Sequence, residues 1–228
     1  TVFPNPVERL RTGATANVPI IIGNMENDGT VFAEGLTNLT AFLDGEIPGS
    51  AISPDLVRSL YPGQNDSVII ADAIRDLVFR CPAELWGAAL TDAGVSNVFR
   101  YSYGNLSRYI IGDAWAVFAD LQKFPGAGAW HSSELGPLFG TFIRSTATPA
   151  EVTWSSTFQT AIANFVKDPD TSPAINWPKY IPGPSTKTLA KLAYTGNVNP
   201  DNFVDPVQSN SLDGPCDALW NLFLDFTA

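Results

Sequence analysis

Apolar positions recur along this chain with two different periods, and the alternation between them outlines its elements. Val18 to Gly23 is a continuous apolar, β-branched run closed by a polar loop that ends in Asp28-Gly29. Such a run predicts a strand buried on both faces of a parallel sheet. Val31 to Leu43 mixes apolar and small residues and reads as helical, and Ser53-Pro54-Asp55-Leu56-Val57 reads as a capped helix start with Pro54 at the first helical position. From Ser67 to Leu90, apolar residues at Val68, Ile69, Ala71, Ile74, Leu77 and Val78 follow helical spacing, with Pro82 placed to kink or break the helix.

The period then changes. Val95 to Tyr103 sets Val98, Arg100 and Ser102 against Phe99, Tyr101 and Tyr103, a strand pattern ended by Gly104-Asn105. A long connection to Gly128 follows, expected to pack over the sheet end. Thr148-Pro149-Ala150-Glu151 opens a helix through Phe165, with Ser155, Phe158, Ile162 and Phe165 on one face. Asp168 to Pro173 reads as a surface turn, Lys187 to Tyr194 as a final strand, and Asp217 to Phe226 as a C-terminal amphipathic helix. Strands separated by long helical segments indicate an α/β architecture with a mostly parallel sheet. No internal repeat or linker divides residues 1–228, so they are read as part of one domain.

Composition narrows the function classes. The 228 residues are 45% hydrophobic and 16% charged, which suits a globular chain with a large core, and the net charge of −10 leaves no basic stripe for nucleic acid. No apolar run is long enough to span a bilayer. The chain opens Thr1-Val2-Phe3-Pro4, as a mature or internally cleaved polypeptide would. Three glycosylation sequons begin at Asn38, Asn65 and Asn105, and there are two cysteines, Cys81 and Cys216. Together they favour a secreted glycoprotein with one disulfide over two free buried thiols.

The candidate chemistry centres on His131, the only histidine, in the Gly-rich stretch Gly126-Ala127-Gly128-Ala129-Trp130-His131-Ser132-Ser133-Glu134. Histidine is the usual proton shuttle near neutral pH. Asp28 follows the first strand, and the order acid then histidine is that of the later part of a serine-hydrolase triad. Glu26 is a rival acid, and Glu134 could be a buried supporting one. A loop histidine, a turn aspartate and solvated glutamates are the plainer alternatives. No G-x-S-x-G occurs, so the nucleophile is not in these residues. Trp86, Trp115, Trp130, Phe139 and Phe142 are candidates for an acyl pocket or for plain core.

Val18-Pro19-Ile20-Ile21-Ile22-Gly23-Asn24-Met25-Glu26-Asn27-Asp28-Gly29-Thr30-Val31-Phe32 resembles the acid loop of the type-B carboxylesterases, the cholinesterase and fungal lipase family. Trp130-His131-Ser132-Ser133-Glu134-Leu135-Gly136-Pro137-Leu138-Phe139-Gly140 resembles its histidine loop. Arg80-Cys81-Pro82 with Pro215-Cys216-Asp217 resembles a late disulfide pair, and Phe158 to Asp168 with Asn176-Trp177-Pro178 resembles a late helix and W-P segment. The resemblance spans nearly the whole chain in family order. It implies the C-terminal portion of an α/β-hydrolase fold that hydrolyses carboxylic esters through an acyl-enzyme. By the same likeness His131 is the base, Asp28 the triad acid and Glu134 a buried acid beside the histidine, with Cys81 bridged to Cys216 and no cofactor or metal. Most of the family has Glu at the Asp28 position. The serine and oxyanion donors would come from an N-terminal chain of the same precursor, held non-covalently if the precursor is nicked before Thr1. A non-catalytic esterase-like binding module is the alternative, as is an acidic secreted structural domain.

Overall fold

The computed structural model describes residues 8–9, 12–49, 52–104, 127–145, 147, 149–193 and 202–219. The Asn105 sequon, Trp115, the connection up to Gly126 and most of the expected C-terminal helix lie outside them.

Among the described residues, a four-stranded mixed sheet in the order β1-β2-β3-β4 carries the architecture. Strand β1 (Ile20–Met25) runs parallel to β2 (Val98–Tyr103), with Ile20 opposite Val98 and Met25 opposite Tyr103. Strand β2 runs parallel to β3 (Leu189–Leu192), and β3 pairs antiparallel with β4 (Val204–Val207). The parallel character matches the expectation; β4 corrects the reading of Lys187–Tyr194 as the final strand. A four-residue strand of sequence Val-Asp-Pro-Val has little pattern to show, and Pro206 is tolerated because β4 lies at the sheet's edge.

Helices cover the sheet. The first helices are α1 (Leu39–Glu46), α2 (Pro54–Leu60) and α3 (Asp66–Ile74). Each is started by a side-chain oxygen that accepts from a backbone N–H: Asn38 from Ala41, Ser53 from Leu56 and Asn65 from Val68. Residues 31–36 are turns instead of the expected helix, because Gly35 has φ 79° and Asn38 begins the helix later. Asn38 and Asn65 are exposed, so both sequons present their amides to solvent while capping.

Helix α3 widens into a π-helical turn (Arg75–Arg80) before α4 (Cys81–Asp92). The expected break at Pro82 takes that form. Proline has no N–H and crowds the carbonyl four residues back, and a wider turn just before it relieves both. The Cys81 N–H accordingly reaches back to the Asp76 carbonyl. Short helix α5 (Leu135–Phe139) and long helix α6 (Pro149–Lys167) pack together after the histidine loop. A further short helix, α7 (Asn210–Asp213), follows β4.

The alternation along β2 sorts its side chains between two cores. Phe99 and Tyr103 join Met25, Trp154, Phe158, Trp177 and Phe203 in an aromatic cluster. Val98 faces the opposite way, with Ala89, Leu90, Val95 and Tyr180. Arg100 is wholly buried on that second face and is neutralised by Asp213 of α7, at 2.8 and 3.2 Å. An uncompensated charge there would be prohibitive, so this pair ties β2 to α7. Cys81 and Cys216 form a disulfide among Leu60, Leu77 and Leu219.

Strand β1 departs from expectation. It is half-buried through Ile20–Ile22 and exposed at Gly23, and among the described residues no strand pairs on its outer side. Ile20, Ile21, Ile22 and Gly23 instead line an open apolar groove with Val78, Phe79, Pro82, Ala83 and Trp86.

Candidate functional site

The first two strands end side by side, and Asp28 and His131 lie in loops tied together just beyond them. Backbone pairing continues past Met25: Glu26 N–H donates to the Tyr103 carbonyl at 2.8 Å, and Asn27 N–H donates to the Ala129 carbonyl at 3.0 Å. Asn27 forms an isolated parallel bridge with Trp130. Its side-chain oxygen accepts from Ala129 N–H at 2.9 Å, and the Thr30 hydroxyl donates to the Ala127 carbonyl at 2.8 Å. Gly128, at φ 64°, fits over Asn27, since a Cβ there would stand 2.1 Å from the Asn27 oxygen. The acid loop and the histidine loop are thus stitched by three hydrogen bonds.

Asp28 and His131 meet as a result. His131 Nδ1 lies 2.9 Å from Asp28 Oδ1. Asp28 Oδ2 accepts from the Met25 N–H at 2.6 Å, so both carboxyl oxygens are held and the side chain is buried. Burial pushes the Asp28 carboxyl above the ordinary aspartate range, opposed by the Met25 hydrogen bond, by His131 and by the charge of Arg80. A neutral imidazole bonded in this way carries its proton on Nδ1 and leaves Nε2 as the basic nitrogen. The His131 side chain is 42% exposed, so it is open to a reacting group.

Local backbone supports the arrangement. A Cβ on Gly29 would lie 1.9 Å from the Ala71 carbonyl oxygen, so only glycine lets the acid loop press against α3. Ser132 has φ 73°, an uncommon value for a residue with a side chain, and turns the chain sharply after the histidine.

Glu134 follows that turn. The residue as a whole is half-buried, yet its Oε2 is enclosed and has no hydrogen-bond partner among the described residues. Burial, with a smaller contribution from Asp28, pushes its carboxyl up to about 7. Its proton is therefore held to higher pH than that of an ordinary glutamate. Glu26 has one enclosed carboxyl oxygen with no partner among the described residues, and the carboxylate that reaches the His131 ring is that of Asp28.

Two aromatic residues that the sequence did not single out touch His131. Phe79 packs 4.6 Å and Phe32 5.5 Å from the imidazole centroid, and they stack on each other at 5.8 Å. Behind them lies a cavity of about 460 Å³, lined by Phe32, Leu36, Phe42, Ile47, Leu77, Phe79 and other apolar side chains, with Glu46 as its one carboxylate. The described aromatic residues that the sequence offered for an acyl pocket or for plain core do not line this cavity. Trp130 and Phe142 are buried in the core, Phe139 is exposed, and Trp86 borders the β1 groove. A phenylalanine four residues after the acid was the available signal for Phe32. Phe79 had none, since its helical turn had to be placed first.

Among the described residues, no group of three or more His, Cys, Asp or Glu side chains could hold a metal ion, and no helix is long and apolar enough to cross a membrane.

No family model matches the chain. It is 26% identical over 204 residues to Secreted lipase 5 of Gibberella zeae, covering 87% of this chain and 32% of that protein. It is 28% identical over 187 residues to Lipase 4 of Diutina rugosa, covering 75% of this chain and 31% of that protein. The chain therefore spans about a third of the length of these curated relatives. The fold is similar to that of the juvenile hormone esterase of Manduca sexta, solved with OTFP covalently attached. The TM-score is 0.63 at 15% identity, over 96% of this chain and 44% of that one.

Proposed function

We propose that this chain, similar at 26–28% identity to two lipases and in fold to an esterase, carries the acid and base of a serine ester hydrolase. The observation that carries the reading is the Nδ1–Oδ1 contact of 2.9 Å between His131 and Asp28, held by two stitched loops. His131 Nε2 takes the proton of an attacking serine and returns it to the departing alcohol, and the histidine repeats this for water when the acyl-enzyme is hydrolysed. Asp28 fixes the tautomer and stabilises the imidazolium. The cavity behind Phe32 and Phe79 suits the apolar acyl or alcohol group of the ester.

The serine and the oxyanion donors come from an N-terminal portion of the same protein. Relatives about three times as long support this, as does the outer edge of β1, which no described strand pairs and which borders an apolar groove where further strand and helix would pack. Secretion fits the disulfide, the two exposed sequons and a relative named as secreted.

The test is to treat the native protein with a fluorophosphonate probe and map the labelled serine. Label on a serine outside these 228 residues, strongly slowed by His131→Gln, supports the reading. Absence of label, or labelling at the native rate in His131→Gln, overturns it and favours an esterase-like binding module.

A further inference from the structure

The π-helical turn Arg75–Arg80 is the part of the molecule that touches both the acid loop and the histidine. At its start, Arg75 Nη1 donates a long hydrogen bond, 3.5 Å, to the carbonyl of Glu26, two residues before Asp28. The Arg75 backbone nitrogen also borders Gly29, where a Cβ would stand 2.8 Å away. The guanidinium does not wander. Its Nε and Nη2 donate to the two oxygens of Asp76 at 2.7 and 2.8 Å, and Nη1 pairs with Asp72. Asp76 is wholly buried and also takes the Tyr61 hydroxyl at 3.0 Å and Arg80 at 3.2 Å.

Near the end of the same turn, Phe79 lays its ring against His131, with 35° between the ring planes. Phe79 lies closer to the imidazole than Phe32 does, 4.6 Å against 5.5 Å between centroids, on a side chain that is 42% exposed. The hydrogen bond from Nδ1 to Asp28 depends on the plane, since its strength falls steeply with misalignment. π-Helical turns inside α-helices are frequent at functional sites, and this one presents Arg75 and Phe79 to the two halves of a single pair.

We propose that the turn Arg75–Arg80 positions the acid–histidine pair: Arg75 holds the acid loop through the Glu26 carbonyl, and Phe79 holds the plane of the His131 ring. Neither residue touches a reacting atom, so both are positioning residues. The inference takes its purpose from the hydrolase reading, but its test does not depend on ester turnover.

The experiment is proton NMR of the full-length protein, following the downfield Nδ1–H resonance of His131, assigned by its loss in His131→Gln. In Phe79→Leu and Arg75→Gln that proton exchanges with solvent about tenfold faster, as expected when roughly one hydrogen bond's net worth is lost. Arg75→Lys falls between Arg75→Gln and the native protein. Arg58→Gln, which breaks the ion pairs of Arg58 with Asp55 and Asp66 at the far end of α3, exchanges at the native rate. Native exchange in both Phe79→Leu and Arg75→Gln overturns the proposal. Should Arg75→Gln fail to fold, Phe79→Leu decides alone, because an apolar exchange at that position keeps the cluster. If the resonance responds as stated while the native protein turns over no ester, the positioning role stands and the hydrolase reading falls.

Discussion

Asp28 reaches His131 although it is one methylene shorter than the glutamate common in the family it resembles. The loop makes up the distance, because Asn27 is bonded to the histidine loop through both its backbone and its side chain. The acid is therefore specified by its neighbour as much as by its own carboxyl. Asp28→Asn keeps the bond from Met25 but favours the wrong imidazole tautomer, and kcat for ester hydrolysis should fall by about 10³–10⁴. Gly29→Ala places a methyl against the Ala71 carbonyl, and urea unfolding should show a loss of about 1–3 kcal/mol. Glu134 carries a pH signature. Its folded-state value of about 7 lies above the ordinary 4.5, so the folded chain binds this proton more tightly than the unfolded chain. Its contribution to stability is complete below pH 4.5 and is lost as pH rises through about 7. Glu134→Gln should remove that decline, a gain over the native protein on the order of 3 kcal/mol between about pH 5 and about pH 8, read from urea midpoints.

At the scale of elements, legibility in the sequence followed how local the determinants are. The cap at Ser53, the strand at β2 and the start of α6 near Pro149 were all readable, because each rests on residues within one or two turns of each other. Asn65 is a cap of the same kind, and Asn65→Ala should cost about 1 kcal/mol in thermal or urea unfolding. Strand β4 was not readable, since its place depends on pairing with β3 and its four residues include a proline. The burial of β1 was overread, because a continuous apolar run does not tell whether a neighbour strand covers its second edge. In the site, the acid and histidine were visible as residue types in an order. Their stitching through Asn27, Thr30 and Gly128, and the stacking of Phe79, were invisible because each joins segments far apart in sequence.

For the whole molecule, the Cys81–Cys216 bridge closes a loop with a sequence separation of 135 residues. On the chain-entropy model, such a loop contributes about 4–5 kcal/mol. Reduction, or Cys81→Ala with Cys216→Ala, should lower the thermal midpoint correspondingly, as calorimetry would show. The bridge also divides the chain into a ring, a long N-terminal tail and a short C-terminal one. Strands β2, β3 and β4 and the loop of His131 lie within the ring, whereas β1 and Asp28 lie outside it. The base is thus covalently enclosed, and the acid is attached only through the linear chain leading into Cys81. A protease that cuts once inside the ring leaves a single molecule until a reductant is added. One that cuts once at the exposed Pro62–Gln64 turn separates the chain into two polypeptides at once, with the acid on one and the histidine on the other.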